Sequence, residues 1–364
     1  MISTGQRGNG GGTQDGSDPI RQGPGPVPWS ERRVLVTGAT GIVGSWLVRR
    51  LLSEGAGVVA LVYDWDPQSE LIRSGDIHRT QVVSGGLEDL SAVERAVNLH
   101  EPDTVVHLGA QTLVGTANRN PLPTFEANIR GTYHLLEVCR MHRELVRSVV
   151  VASSDKAYGE SSVLPYDESM PLAGTHPYDV SKSCADLLAG AYAVTYGLPV
   201  TVARCGNIYG GGDLNWSRIV PGTIRSLLRG ERPVLRSDGT FTRDYIYVQD
   251  AVDAYLRLAE RADEEGVRGE AFNFSPGAPL SVLDITSVIQ RLMGREDLEP
   301  VILNQARAEI RDQYLDSEKA VTRLGWTSGY TLDEGLRATI EWYAHFLTGS
   351  GYPARVPASS SVPS

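Results

Sequence analysis

The 364-residue chain is short of several things, and each shortage removes a class of protein. Its 3 cysteines, Cys139, Cys184 and Cys205, are too few and too scattered for a disulfide framework or a spaced set of metal ligands. No apolar run approaches the roughly 20 residues that span a bilayer, and the first residues lack the apolar core of an export signal. The expectation is a cytoplasmic protein with buried, reduced thiols, no metal and no membrane partner. A surplus of positive charge is also missing: 34 Lys+Arg stand against 44 Asp+Glu, a net charge of −10. Such a balance argues against nucleic acid as a partner, while leaving room for a local basic pocket.

Apolar patterning is missing from both ends. Residues 1–29, with Gly8-Asn9-Gly10-Gly11-Gly12, and residues 348–364, rich in Ser and Pro, cannot bury enough apolar surface to offset their ordering entropy and are expected to be disordered tails. Between them, β-branched runs (Arg33 to Val36, Val58 to Val62, Thr104 to His107, Ser148 to Ala152, Val200 to Ala203) alternate with stretches of helical spacing, among them Thr124 to Arg140 and Ser181 to Tyr196. That alternation predicts an α/β fold, a Rossmann-type doubly wound parallel sheet. After about Arg204 it gives way to Gly-rich loops with a few helices. The expected division is a dinucleotide-binding domain over 30–203 plus about 244–262, and a smaller discontinuous substrate lobe over about 204–243 plus 263–347.

Gly38-x-x-Gly41-x-x-Gly44 follows the first strand and opens a helix. Glycines there allow a tight turn and close approach of the backbone to a pyrophosphate, and the helix N-terminus supplies N–H groups and partial positive charge. Three glycines alone are weak evidence, but Asp64 stands 20 residues after Gly44, at the end of the next strand. A carboxylate there accepts hydrogen bonds from a ribose and disfavours a 2′-phosphate, so NAD is expected over NADP. Asp66 is a nearby competitor for that role. Further on, Tyr178 and Lys182 are four residues apart, on one face of a predicted helix. A phenol of reference pKa about 10 becomes a usable base when a cation stabilises its anion.

On these motifs the chain, from about Arg32 to Leu347, resembles the extended short-chain dehydrogenase/reductases that modify nucleotide-diphosphate sugars. The resemblance implies that NAD is held by Gly38, Thr40, Gly41, Ile42, Val43, Gly44, Asp64, Leu87, Leu108, Ala110, Tyr178 and Lys182. The family commonly has Asp after a Gly behind the third strand, to contact adenine; here that slot is Gly86, followed by Leu87, Glu88 and Asp89. Ser154 matches the hydroxyl that shares the substrate proton with Tyr178. Asp155 and Lys156 then separate the chemistries, because sugar 4-epimerases typically carry small, non-acidic residues there, whereas a dehydratase needs extra acid–base groups. Asp155 matches the family's general acid. Lys156 stands where dTDP-glucose dehydratases have glutamate and CDP-glucose 4,6-dehydratases usually have lysine; it acts as the C5 base if its pKa is lowered, and otherwise as an electrostatic anchor. A plain structural ion pair with Asp155 is the bland alternative.

For the substrate, the resemblance implies contacts from Asn207, in a Gly-Asn-x-x-Gly-Gly-Gly-Asp stretch like that of the CDP-glucose enzymes, and from Arg243 on the diphosphate. Asn273 matches a site near the nucleotide. Arg218 and Arg311 are further cations for the diphosphate, Glu309 to Asp316 fits the same lineage, and Asp250 reads as structural. The function so implied is an NAD-dependent NDP-hexose 4,6-dehydratase, a hydro-lyase that oxidises C4, removes water across C5 and C6, and returns hydride to C6. A 4-epimerase or C4-oxidising decarboxylase on the same scaffold is the alternative, and an NAD- or sugar-nucleotide-binding regulator the non-enzymatic one. CDP, dTDP, GDP and UDP all stay open as the nucleotide. Homodimerisation through Pro121 to Arg140 and Ser181 to Thr195 is the family expectation.

Overall fold

The computed structural model describes residues 27–305 and 310–349. The expected tails therefore fall outside the described residues, apart from their inner edges. At the first edge the expectation is corrected. Trp29 is buried, and its indole donates to Glu260 at 2.7 Å, so the folded body begins before residue 30.

Seven parallel strands form the main sheet: β1 (Arg33–Thr37), β2 (Gly57–Val62), β3 (Gln81–Ser84), β4 (Thr104–His107), β5 (Ser148–Ala152), β6 (Val200–Cys205) and β7 (Ala271–Phe274), in the order β7-β6-β5-β4-β1-β2-β3. Both faces are covered, and successive side chains feed two separate cores. Val34 and Val36, Val58 and Ala60, Val106 and Val150 point to one core, where helices α1 (Ile42–Ser53) and α5 (Val248–Arg261) pack. Leu35, Val59, Val105, Val149 and Val151 point to the other, against α2 (Leu90–His100), α3 (Gly131–Met141) and α4 (Pro177–Tyr196). This is the doubly wound arrangement the alternating pattern predicts. Cys139 and Cys205 lie buried in these cores as free thiols, pushed up to about 12 by desolvation.

The order reverses between β4 and β1, and ligands of such sheets bind in the crevice at that reversal. Thr37 pairs with His107, so the chains leaving β1 and β4 emerge side by side. The stretches expected to form the lobe hold a three-stranded sheet of Leu280–Ser281, Thr242–Arg243 and Asp312–Gln313, a two-stranded one of Val234–Leu235 and Val301–Ile302, and helices Ile219–Leu228 and Val282–Met293. One expected boundary moves: β7 lies in the stretch from 263 assigned to the lobe, yet it pairs with β6 in the main sheet. No helix among the described residues is long and apolar enough to cross a membrane.

Candidate active site

A cleft of about 1070 Å³ opens at the β4/β1 reversal. Gly38 turns with φ +66°, and a Cβ on it would lie 2.7 Å from Gly109 N, while a Cβ on Gly44 would collide with the Gly38 carbonyl oxygen. Both positions need glycine for backbone to pass backbone. Gly41 caps α1 without a side-chain hydrogen bond, so the first N–H groups of the helix, from Ile42, Val43 and Gly44, are left to the cleft these residues line. Thr40, Asp64, Leu87, Leu108 and Ala110 line the same cleft. Asp66 lines it too, but its carboxylate accepts from Gln68 N at 2.8 Å in a local turn, whereas Asp64 is exposed and has no such commitment among the described residues. A backbone cradle, a helix N-terminus and an uncommitted carboxylate beyond it fit a dinucleotide.

The slot behind β3 is resolved as well. Asp89 caps α2, accepting from Ser91 N, and is not at the cleft wall. Glu88 is: its carboxylate lies over Gly86, in the volume that a side chain at 86 would need.

Ser154, Asp155, Lys156, Tyr178 and Lys182 all line the other half of the cleft. Ser154 Oγ donates to Asp155 Oδ1 at 2.9 Å and accepts from Lys156 N at 3.2 Å. Its one proton is spent on Asp155. Burial pushes the Tyr178 phenol up to about 12, opposed mainly by the Arg218 guanidinium. Lys182, one turn further along α4, donates to the Ala152 carbonyl at the end of β5 at 2.7 Å, and burial lowers it to about 8, with Asp186 pulling the other way.

Two supports were not visible in the sequence. The predicted helix over 124–140 forms, but Glu126–Arg130 widens into a π turn, a distortion frequent at functional sites. Within it, Asn128 Nδ2 donates to Ser181 Oγ at 2.9 Å, which donates to the Tyr178 carbonyl at 2.7 Å. Thr132 donates to the Asn128 carbonyl, so its oxygen accepts from His107 Nε2–H, and His107 Nδ1 accepts from Thr37. Burial takes His107 down to about 3, so it stays neutral in that tautomer. The second support is Gln313, which accepts from Lys156 Nζ at 2.6 Å.

The substrate residues divide. Asn207 and Arg218 line the cleft, Arg218 paired with Asp213 at 2.9 Å. Arg243 does not: it is buried, and its guanidinium is spent on the carbonyls of Thr242, Arg311 and Ile310. Asn273 is fully buried, accepting from Tyr158 OH at 2.7 Å and donating to the Tyr166 carbonyl at 2.9 Å. The same Tyr158 hydroxyl accepts from Arg204, which is doubly bonded to Asp186. Asn273 thus belongs to a network under the 155–158 turn. Arg311 is exposed and outside the cleft wall, and Glu309 lies outside the described residues. Asp250 accepts from Ser328 and from Gly329 N, a structural use.

Residues 34–274 match the family model described as the NAD dependent epimerase/dehydratase family. The chain belongs to that family. Within it the chain is 29% identical over 337 residues to the CDP-glucose 4,6-dehydratase of Salmonella typhimurium, covering 88% of this chain and 93% of that one. It is 31% identical over 334 residues to a dTDP-glucose 4,6-dehydratase of Streptomyces griseus, covering 90% and 98%. Among solved structures, the dTDP-glucose 4,6-dehydratase of Streptomyces venezuelae with NAD bound superposes with a TM-score of 0.77 at 28% identity, covering 86% of this chain and 97% of that one. The UDP-glucose 4-epimerase of Thermotoga maritima gives 0.78 at 30%, covering 86% and 99%. Members of the family are NAD-dependent enzymes, and NAD is the cofactor that the glycine cradle fits.

Proposed function

We propose that the protein is a hydro-lyase, an NDP-hexose 4,6-dehydratase that keeps NAD bound through its cycle. The observation that carries this reading is the buried Asp155 beside Lys156 at the cleft wall, directly after Ser154 and hydrogen-bonded to it. Oxidation at C4 needs only Tyr178, Ser154 and Lys182; the other two groups are what an elimination requires. The 4,6-dehydratase relatives add support, while the likeness to a UDP-glucose 4-epimerase keeps epimerisation as the second reading.

Bound NAD supplies a hydride acceptor for C4 and later a hydride for C6. Tyr178, with Ser154, takes the C4 hydroxyl proton, and the C4 ketone acidifies C5–H. In this reading Asp155 is the acid and Lys156 the base of the elimination. Lys156 takes the C5 proton, the C6–O bond breaks as C5=C6 forms, and Asp155 gives its proton so that the hydroxyl leaves as water. When C6 is reduced, C5 takes back a proton from Lys156, and the proton that Tyr178 took from the C4 hydroxyl replaces the one Asp155 gave to water. Asn207 and Arg218 hold the diphosphate, a guanidinium being suited to phosphate oxygens. Incubation with the CDP-, dTDP-, GDP- and UDP-glucoses, read by mass spectrometry, should give a product lighter by one water; an isomer of unchanged mass from every substrate overturns the reading.

Glu88 in this reading accepts from the adenine amino group. Glu88→Gln should weaken NAD binding by about tenfold, the scale of one charge-assisted hydrogen bond. It should also erode the preference for NAD over its hypoxanthine analogue, which lacks that amino group; equal preference in variant and parent would remove Glu88 from the adenine site.

The reading includes a homodimer. Leu187 and Val194, seven residues apart on α4, are 63% and 88% exposed, and Leu122 and Met141 are open at the two ends of the Pro121–Met141 stretch. Substituting Leu187→Glu and Val194→Glu together should halve the mass seen by sedimentation, and an unchanged mass would exclude this face.

A further inference from the structure

We propose that Gln313 is a positioning residue through which the substrate lobe sets the Asp155–Lys156 pair for water elimination. This rests on the dehydratase reading above. Gln313 lies at the end of the strand Asp312–Gln313 and is fully buried. Its Oε1 accepts from Lys156 Nζ at 2.6 Å and its Nε2 donates to the Asp155 carbonyl at 2.9 Å. One planar amide therefore grips the side chain of one member of the pair and the main chain of the other. Because one end must accept and the other donate, the two partners also fix which way the amide faces.

The grip is rigid on the lobe side. Gln313 is opposite Arg243 in a parallel ladder, and the Arg243 guanidinium donates to the carbonyls of Ile310 and Arg311 just upstream. Just downstream, the Tyr314 carbonyl accepts from Tyr166 N at 2.9 Å, and Leu315 N donates to Asp244 Oδ2 at 2.7 Å. Arg243 thus serves the strand that carries Gln313. A buried carboxamide costs stability unless both its ends are paired, so its presence is matched to these two partners.

The consequence is a division of labour. Tyr178 and Lys182 hang from α4, with Lys182 tied to β5, so C4 oxidation is assembled on the main sheet. Asp155 and Lys156 are tied to the lobe as well. In the elimination, C5–H and C6–O break, C5=C6 forms, Lys156 receives one proton and Asp155 releases one into water. Each transfer needs an atom of the pair held within reach of the sugar, and Gln313 sets that position.

Single-turnover measurements with the nucleotide-glucose that the wild type dehydrates separate the two stages. Gln313→Leu should leave the rate of cofactor reduction within about threefold and slow water loss, followed by mass, at least about a hundredfold. Gln313→Glu loses the donor to Asp155 and sets a carboxylate against Lys156 that favours its ammonium form, so water loss should fall at least as far while cofactor reduction is kept. A parallel fall in both stages, or unchanged water loss, overturns the role of Gln313. If the leucine variant does not fold, the glutamate variant decides by the same split. A wild type that reduces the cofactor and never loses water overturns the dehydratase reading itself, and this role with it.

Discussion

An Asp155→Asn variant should still oxidise its sugar at C4 and fail to lose water. The substitution changes little in shape, and the amide oxygen can keep the hydrogen bond from Ser154 Oγ. What disappears, in the proposed elimination, is the acidic proton for the departing C6 hydroxyl. General acid catalysis by a positioned side chain contributes about 10²- to 10⁴-fold, and water loss should fall by that factor. Cofactor reduction should stay within several-fold, because Tyr178 and Lys182 are on another element. The reduced cofactor and the 4-keto sugar should then accumulate together, which absorbance and mass spectrometry report. An asparagine variant that dehydrates at the parent rate would take Asp155 out of the mechanism, and its partner Lys156 with it.

Tyr178→Phe should remove both stages, since nothing downstream starts without the C4 ketone. The expected loss is again about 10²- to 10⁴-fold, with NAD binding retained through the glycine turn and Lys182. The pH dependence gives a sharper test. Burial pushes this phenol up to about 12, so only a small fraction is ionised near neutrality. The base form then grows with pH, and the rate of cofactor reduction should rise about tenfold per unit until another group titrates. The phenylalanine variant should have no such limb. Persistence of the slope would assign it to a different group, with Lys182, held near 8, the first to examine.

Most of the cofactor half was legible because its signals are local. A turn that requires glycine, a carboxylate one strand later and a Tyr-Lys pair one helical turn apart are fixed by backbone geometry within short windows. The substrate half was less so, because a motif does not say where a long side chain points. Arg243 looked like the diphosphate ligand and Arg218 the weaker candidate, yet Arg218 faces the cleft and Arg243 turns inward to main-chain carbonyls. Asn273 carried a family match, but Tyr158 and Tyr166 consume its amide. Gln313 stood in the Glu309 to Asp316 stretch that fits the lineage, but nothing there gave its role, since its partners are more than 150 residues away in sequence. The strand β7 was missed for a different reason: four residues between Gly-rich loops resemble lobe until their pairing with β6 is known.

The return of the chain to the main sheet at α5 and β7, between the two stretches that build the lobe, bears on how this enzyme could be re-engineered. The lobe is not a cassette. A chimera that borrows another enzyme's substrate specificity must splice in two inserts around a native core segment, and must match Gln313 to the recipient's Asp155–Lys156 turn as well. Single substitutions at the cleft wall, beginning with Asn207 and Arg218, leave all of those seams uncut.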